Sequence, residues 1–222
     1  MQRIPEPEEL MDDAGQALAY AQEDFSEANE LFVSLLEAQS DGPLSGYLLD
    51  LGCGPADIPL ALALRHPELH IDAVDGAQAM LDLAQRRLDA QNPDVQQRVH
   101  LLCAYLPSPT LPEGAYQLIA SNSLLHHLAD PAVMWQSVKR YAQPGARVAI
   151  MDLARPRSEL AVDAVVETYA MDAPDVLRKD FRNSLFAAYR VDEVKRQLQR
   201  AGLASLTVGM ISDRHLAVTG RL

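Results

Sequence analysis

Short apolar runs alternate along the middle of this chain with longer stretches in which apolar positions recur every three or four residues. The first run, Tyr47–Leu51, predicts a buried strand, and 56–65 predicts a helix with Pro55 suited to its first position. His66-Pro67 ends that helix, and Leu69–Val74 predicts the second strand. Residues 77–91 predict a helix whose Met80, Leu81, Ala84 and Leu88 face the sheet, stopped by Asn92-Pro93. Val99–Cys103, Tyr116–Ser121 and Arg147–Leu153 predict three more strands, and Asp130-Pro131 opens a helix running to Tyr141. Buried apolar strands separated by helices imply an α/β fold with a parallel, doubly wound sheet.

The two ends depart from this alternation. Residues 1–45 read as a helical lid outside the core domain, with Ala28, Phe32, Leu35 and Leu36 on one face and Asp24-Phe25-Ser26-Glu27 as a capping box. Gly42-Pro43 and Ser45-Gly46 then break the chain, and 46–222 reads as the main domain. Residues 156–190, punctuated by Pro156 and Pro174, predict a helical insertion over the sheet's C-terminal edge. A helix near 192–201 ends at Gly202. Ser205–Ile211 and His215–Thr219 are separated only by Ser212-Asp213-Arg214, too short for a parallel crossover, so they must pair antiparallel. The expectation is a seven-stranded, mostly parallel sheet closed by an antiparallel C-terminal hairpin.

Composition narrows the picture modestly. The 222 residues carry a net charge of −12, which argues against an enzyme that tracks nucleic acid. Cys53 and Cys103 form no disulfide framework and no metal-ligand spacing, so no metal is expected. Met1–Glu6 lacks a signal pattern and no apolar run approaches a membrane span, so a cytoplasmic protein without membrane contact is expected.

The chemistry concentrates where the first strand meets its turn. Gly52-Cys53-Gly54 brings backbone N–H groups close to a ligand, and Asp75, ending the second strand, is placed to chelate a ribose diol. Asp57 falls in the first helical turn, where a dinucleotide fold parks its pyrophosphate. An acid there suits a nucleoside with an ammonium group and no phosphate, and with the end hairpin it disfavours a nicotinamide-dependent dehydrogenase. From Tyr47 to Val218 the chain resembles the class I S-adenosylmethionine (SAM)-dependent methyltransferases of the small-molecule type, whose Rossmann-like fold lacks the third loop glycine.

That resemblance implies SAM as cofactor and S-adenosyl-L-homocysteine as product. It implies that Asp50, Gly52, Cys53 and Gly54 hold the amino-acid end of SAM and that Asp75 binds the ribose. Gly76 lets the chain pass the adenosine, and Met80 packs near the adenine. Where the family usually carries an acid for the adenine amino group, this chain has Ala104, followed by Tyr105, so backbone groups and the Tyr105 ring take that part. Ser121 and Asn122 fall below the sulfonium.

Several acceptor classes are disfavoured by what is missing: an Asn-Pro-Pro-aromatic motif, a magnesium-ligating aspartate, a double glutamate, and a relay of several cysteines. His126 and His127 invite a general-base reading, with His127 nearer the cofactor, although positioning the loop or capping the following helix is the commoner role for such pairs. Tyr20 is a candidate lid aromatic, Arg155 a candidate carboxylate binder and Asn183 a candidate pocket residue. Tyr169 and Met171 read as insertion core, and Asp213-Arg214-His215 as a plain turn. The expected activity is in-line methyl transfer to a small-molecule acceptor, driven mainly by orientation and desolvation. The alternatives are another SAM chemistry, or a SAM-binding protein with a non-catalytic regulatory role; the sequence leaves the oligomeric state open.

Overall fold

The computed structural model describes residues 1–6 and 10–222. Seven strands form one sheet in the order β3-β2-β1-β4-β5-β7-β6. They are β1 (Gly46–Leu51), β2 (Leu69–Asp75), β3 (Val99–Cys103), β4 (Tyr116–Asn122), β5 (Ala142–Leu153), β6 (Thr207–Met210) and β7 (His215–Arg221). β1 to β5 pair in parallel, while β7 lies antiparallel to both β5 and β6. The order reverses between β1 and β4, so the crevice beyond their C-terminal ends is where such a sheet takes a ligand.

Both faces of the sheet are covered, which is why most positions of its central strands are apolar. Leu48 of β1 joins a core with α2 (Ser26–Glu37), α3 (Asp57–Arg65) and α4 (Gln78–Asp89). Its neighbours Leu49 and Leu51 join the opposite core with α6 (Ala132–Tyr141) and α9 (Val191–Ala201). The insertion folds as α7 (Glu159–Tyr169) and α8 (Asp175–Ala187) around Val162, Val166 and Leu185. Gly202 ends α9 in the left-handed region at φ 72°, as its position after the last apolar residue implied. Among the described residues, no helix is long and apolar enough to cross a membrane.

Three local expectations need correction. α2 is not outside the core: Phe32, Val33 and Leu36 are buried in the same cluster as β1 and α3. Of the first 45 residues, α1 (Ala14–Gln22) packs instead on Ala77 and Met80 beside the crevice. No capping box starts α2, because Asp24 Oδ1 accepts from Ser26 N–H two residues on and Phe25 has no capping side chain. Pro55 is not a first helical residue, since Ala56 behind it turns left-handed at φ 65° and α3 starts at Asp57.

Asn92-Pro93 does more than stop a helix. Asn92 Oδ1 accepts from Val95 N–H and Pro93 opens α5 (Pro93–Arg98). From α5 the buried Arg98 donates to the carbonyls of Ala63, His66 and Leu69, closing the end of α3 against the start of β2. Arg98→Met strands those carbonyls in the core and is expected to cost about 2–4 kcal/mol in urea unfolding. A loss below about 0.5 kcal/mol would show that water replaces the guanidinium.

Candidate active site

A cavity of about 840 Å³ opens at the C-terminal ends of β1, β2 and β4, roofed by α1 and α8. Its floor is the turn after β1. There Gly52 N–H and Cys53 N–H both donate to Val74 O, at 2.8 and 3.0 Å, pinning the turn to β2. Gly52 sits at φ 76°, and a Cβ on it would lie 3.0 Å from Leu124, so both backbone angle and space require glycine. Gly54, at φ 53°, faces open space, which leaves its backbone accessible to a ligand.

Asp75 shapes that turn. Its Oδ2 accepts from Gly54 N–H and its Oδ1 from Ala77 N–H, each at 2.8 Å. Burial raises its pKa, with these two N–H groups pulling the other way. A carboxylate has about four acceptor positions, so lone pairs remain for a diol.

Behind the turn lies a smaller recess lined by Asp50, Cys53, Asn122 and Tyr20. Asp50 is buried, and burial together with the neighbouring Asp75 raises its pKa to about 7. Its Oδ1 and the buried Asn122 Oδ1 have no hydrogen-bond partner. Two unpartnered acceptors in one recess call for a donor-rich, positively charged group. An ammonium fits that demand and a phosphate does not. Cys53 is held inert, its thiol pushed well up by burial and by both aspartates.

Asp57 plays a different part from the one expected. It is ion-paired with Arg87, which also donates to Pro55 O and Ala21 O. Its charge is spent on joining α3 to α4 and α1, so discrimination against phosphate passes to Asp50 and Asp75. Tyr20 lines both cavities and packs on Phe25 with ring centroids 4.6 Å apart. Burial, then Asp57 and Asp75, raise its phenol to about 12.

Of the other candidates, Gly76, Met80, Ala104, Tyr105, Asn122, His127 and Asn183 all line the large cavity. Two do not. Ser121 is fully buried and donates to Leu51 O at 2.7 Å, tying β4 to β1. Arg155 is buried too, donating to Ala188 O and paired with Glu193 Oε1 at 2.6 Å, so it anchors α9 and offers nothing to an acceptor carboxylate. Conversely, Tyr169, Arg214 and His215 line the cavity, so Tyr169 is not insertion core and the hairpin turn is not plain. Met171 is 57% exposed and likewise leaves the core. Burial, reinforced by Arg214, lowers His215 to about 4, so it is neutral near pH 7.

Opposite the glycine turn, two histidines are bracketed by carboxylates that the sequence reading missed. His126 Nδ1 lies 2.6 Å from Asp152 Oδ1, with both side chains buried. Burial alone would lower the imidazole, but the charge and hydrogen bond of Asp152 outweigh it and raise His126. His127 Nδ1 lies 2.5 Å from Glu6 Oε2, and Ser184 Oγ donates to Glu6 Oε1 at 2.5 Å. Burial pushes Glu6 up, yet its contacts with His127 leave it below the ordinary carboxylate range. The two imidazole centroids are 4.1 Å apart.

Comparison with known proteins points to the same fold and to methyl transfer among similar proteins. Residues 49–148 match a family model described as a methyltransferase domain. The chain is similar to demethylmenaquinone methyltransferase of Chlamydia pneumoniae, 31% identical over 51% of this chain and 47% of that protein. It is also similar to trans-aconitate 2-methyltransferase of Methylobacterium radiotolerans, 31% identical over 50% of this chain and 41% of that one. It thus spans less than half the length of these curated relatives. A solved SAM-dependent methyltransferase from Aquifex aeolicus superposes with a TM-score of 0.65 at 19% identity, over 94% of this chain and 98% of that one, which establishes the fold.

Proposed function

We propose that this chain, whose residues 49–148 match a methyltransferase-domain model and whose fold is that of a solved SAM-dependent methyltransferase, transfers a methyl group from SAM to a small-molecule acceptor held beneath α1 and α8. The observation that carries this reading is the pair of unpartnered acceptors, Asp50 Oδ1 and Asn122 Oδ1, beside an open glycine backbone. SAM, when bound, supplies a methyl group already activated on a sulfonium.

The chain's own residues then have mainly to bind and orient. Asp50 and Asn122 accept from the ammonium, Gly52 and Gly54 bring the backbone close, and Asp75 receives the ribose hydroxyls. Met80 and the Tyr105 ring flank the adenine beside Gly76 and Ala104. Tyr20 closes the amino-acid end, and α1 serves as a lid over a core that includes α2. Asn183, on α8, faces the acceptor, and His127, fixed by Glu6, meets its reacting group. Enclosing both molecules in one cavity excludes water and aligns the nucleophile, which accounts for much of the acceleration. A small acceptor fits a cavity of about 840 Å³. The net charge of −12 argues against a nucleic-acid acceptor and suits a cytoplasmic metabolite enzyme.

Incubation with isotope-labelled SAM and a metabolite extract, read by mass spectrometry, tests this. The expected result is a labelled small molecule formed in step with S-adenosyl-L-homocysteine. Label appearing only on protein or nucleic acid would contradict the acceptor class.

A further inference from the structure

Glu6, His126 and His127 each present a ligand atom to the same space, and these atoms lie within 4.8 Å of one another. Two imidazoles and one carboxylate on an open cavity wall are a donor set suited to a divalent transition metal. Three ligands sharing one ion at about 2.1 Å stand roughly 3.0–3.6 Å apart, so side-chain shifts of about 1 Å close the group.

Two features around the cluster set it apart from a chance meeting of polar residues. His126 gives its Nδ1 to the buried Asp152, which fixes the ring and leaves Nε2 as its ligand atom. A carboxylate behind a histidine in this way orients metal ligands and raises their basicity. Glu6 in turn is steadied on its other oxygen by Ser184 Oγ. All three candidate ligands line the large cavity, so an ion there keeps positions for water or for an acceptor oxygen.

The geometry points to a divalent transition-metal site formed by Glu6, His126 and His127 on the acceptor side of the cavity. The inference rests on the proposed function for the identity of that side, and it deepens it: an acceptor with an oxygen donor near its reacting atom is selected by the ion. The expectation of no metal came from cysteine spacing, and neither Glu6 nor the folding of the chain onto His127 is visible in that count.

The test uses untagged, chelator-stripped protein of the sequence above, titrated with Co²⁺ and with Zn²⁺ and followed by cobalt visible absorption and by calorimetry. The expected result is one equivalent bound at low micromolar concentration or tighter. Glu6→Gln, His126→Ala and His127→Ala should each weaken it at least about 100-fold, and His215→Ala should leave it intact. Asp152→Asn keeps all three ligands and should weaken binding about 10- to 100-fold. Circular dichroism confirms that each variant is folded; Glu6→Gln, at the chain's edge, carries the result if His126→Ala is not. Binding weaker than about 100 μM, or binding that survives both Glu6→Gln and His127→Ala, overturns the site. SAM affinity in excess chelator is measured in parallel, so loss of the metal site and loss of the cofactor reading are separately visible.

Discussion

Asp75→Ala is expected to weaken SAM binding by at least about 100-fold, the largest single effect on cofactor affinity. The carboxylate does two things at once: it holds Gly54 N–H and Ala77 N–H in place, and it retains acceptor positions for the ribose. Charge-assisted hydrogen bonds are worth about 1.5–3 kcal/mol each, so losing two reaches that factor. Calorimetry at fixed salt reads it directly. Asp75→Asn, which keeps one acceptor oxygen, should fall between the two. Affinity within about threefold of the unaltered protein for Asp75→Ala would remove Asp75 from the site.

Asp50→Asn is expected to make the ligand-free protein more stable while weakening cofactor binding about 100-fold. Asp50 is buried, and its pKa rises from 3.8 to about 7. A carboxyl raised on folding contributes stability that is complete below its unfolded pKa and is lost as pH rises through the folded one. Stability is therefore lost progressively from about pH 4 to about pH 7, a burden that asparagine lacks, so the variant's advantage in urea unfolding should be largest at pH 8, about 1–3 kcal/mol or more, and should vanish only below about pH 4. An ammonium ligand needs the ionised form. SAM affinity of the unaltered protein should accordingly climb from pH 5.5 to about pH 7 and level off, whereas Asp50→Asn should bind about 100-fold more weakly at pH 8 with a flat profile. A destabilised Asp50→Asn, or a pH-independent affinity in the unaltered protein, contradicts this role.

What the sequence made visible was what depends on neighbours along the chain. The run into Gly52-Cys53-Gly54, the acid at Asp75 and the three-residue link at Ser212-Asp213-Arg214 each encode their own geometry, and the glycine turn and hairpin follow from them. What stayed hidden depends on partners brought from far away. Asp57 reads as a ligand-facing acid until Arg87 arrives from α4. Arg155 reads as a substrate arginine until Glu193 and Ala188 O claim it, and Ser121 as a cofactor contact until Leu51 O does. The same folding brings Glu6 from the chain's start to His127, and Asp152 from β5 to His126. No periodicity marks such pairs, because they are set by how elements pack.

The most direct measurement is calorimetric titration of SAM, and separately of NAD, into the protein at pH 8. Binding of one SAM in the micromolar range, with NAD silent, is the predicted outcome. One NAD bound in that range, or no heat from SAM at millimolar concentration, would contradict a recess built for a positively charged nucleoside.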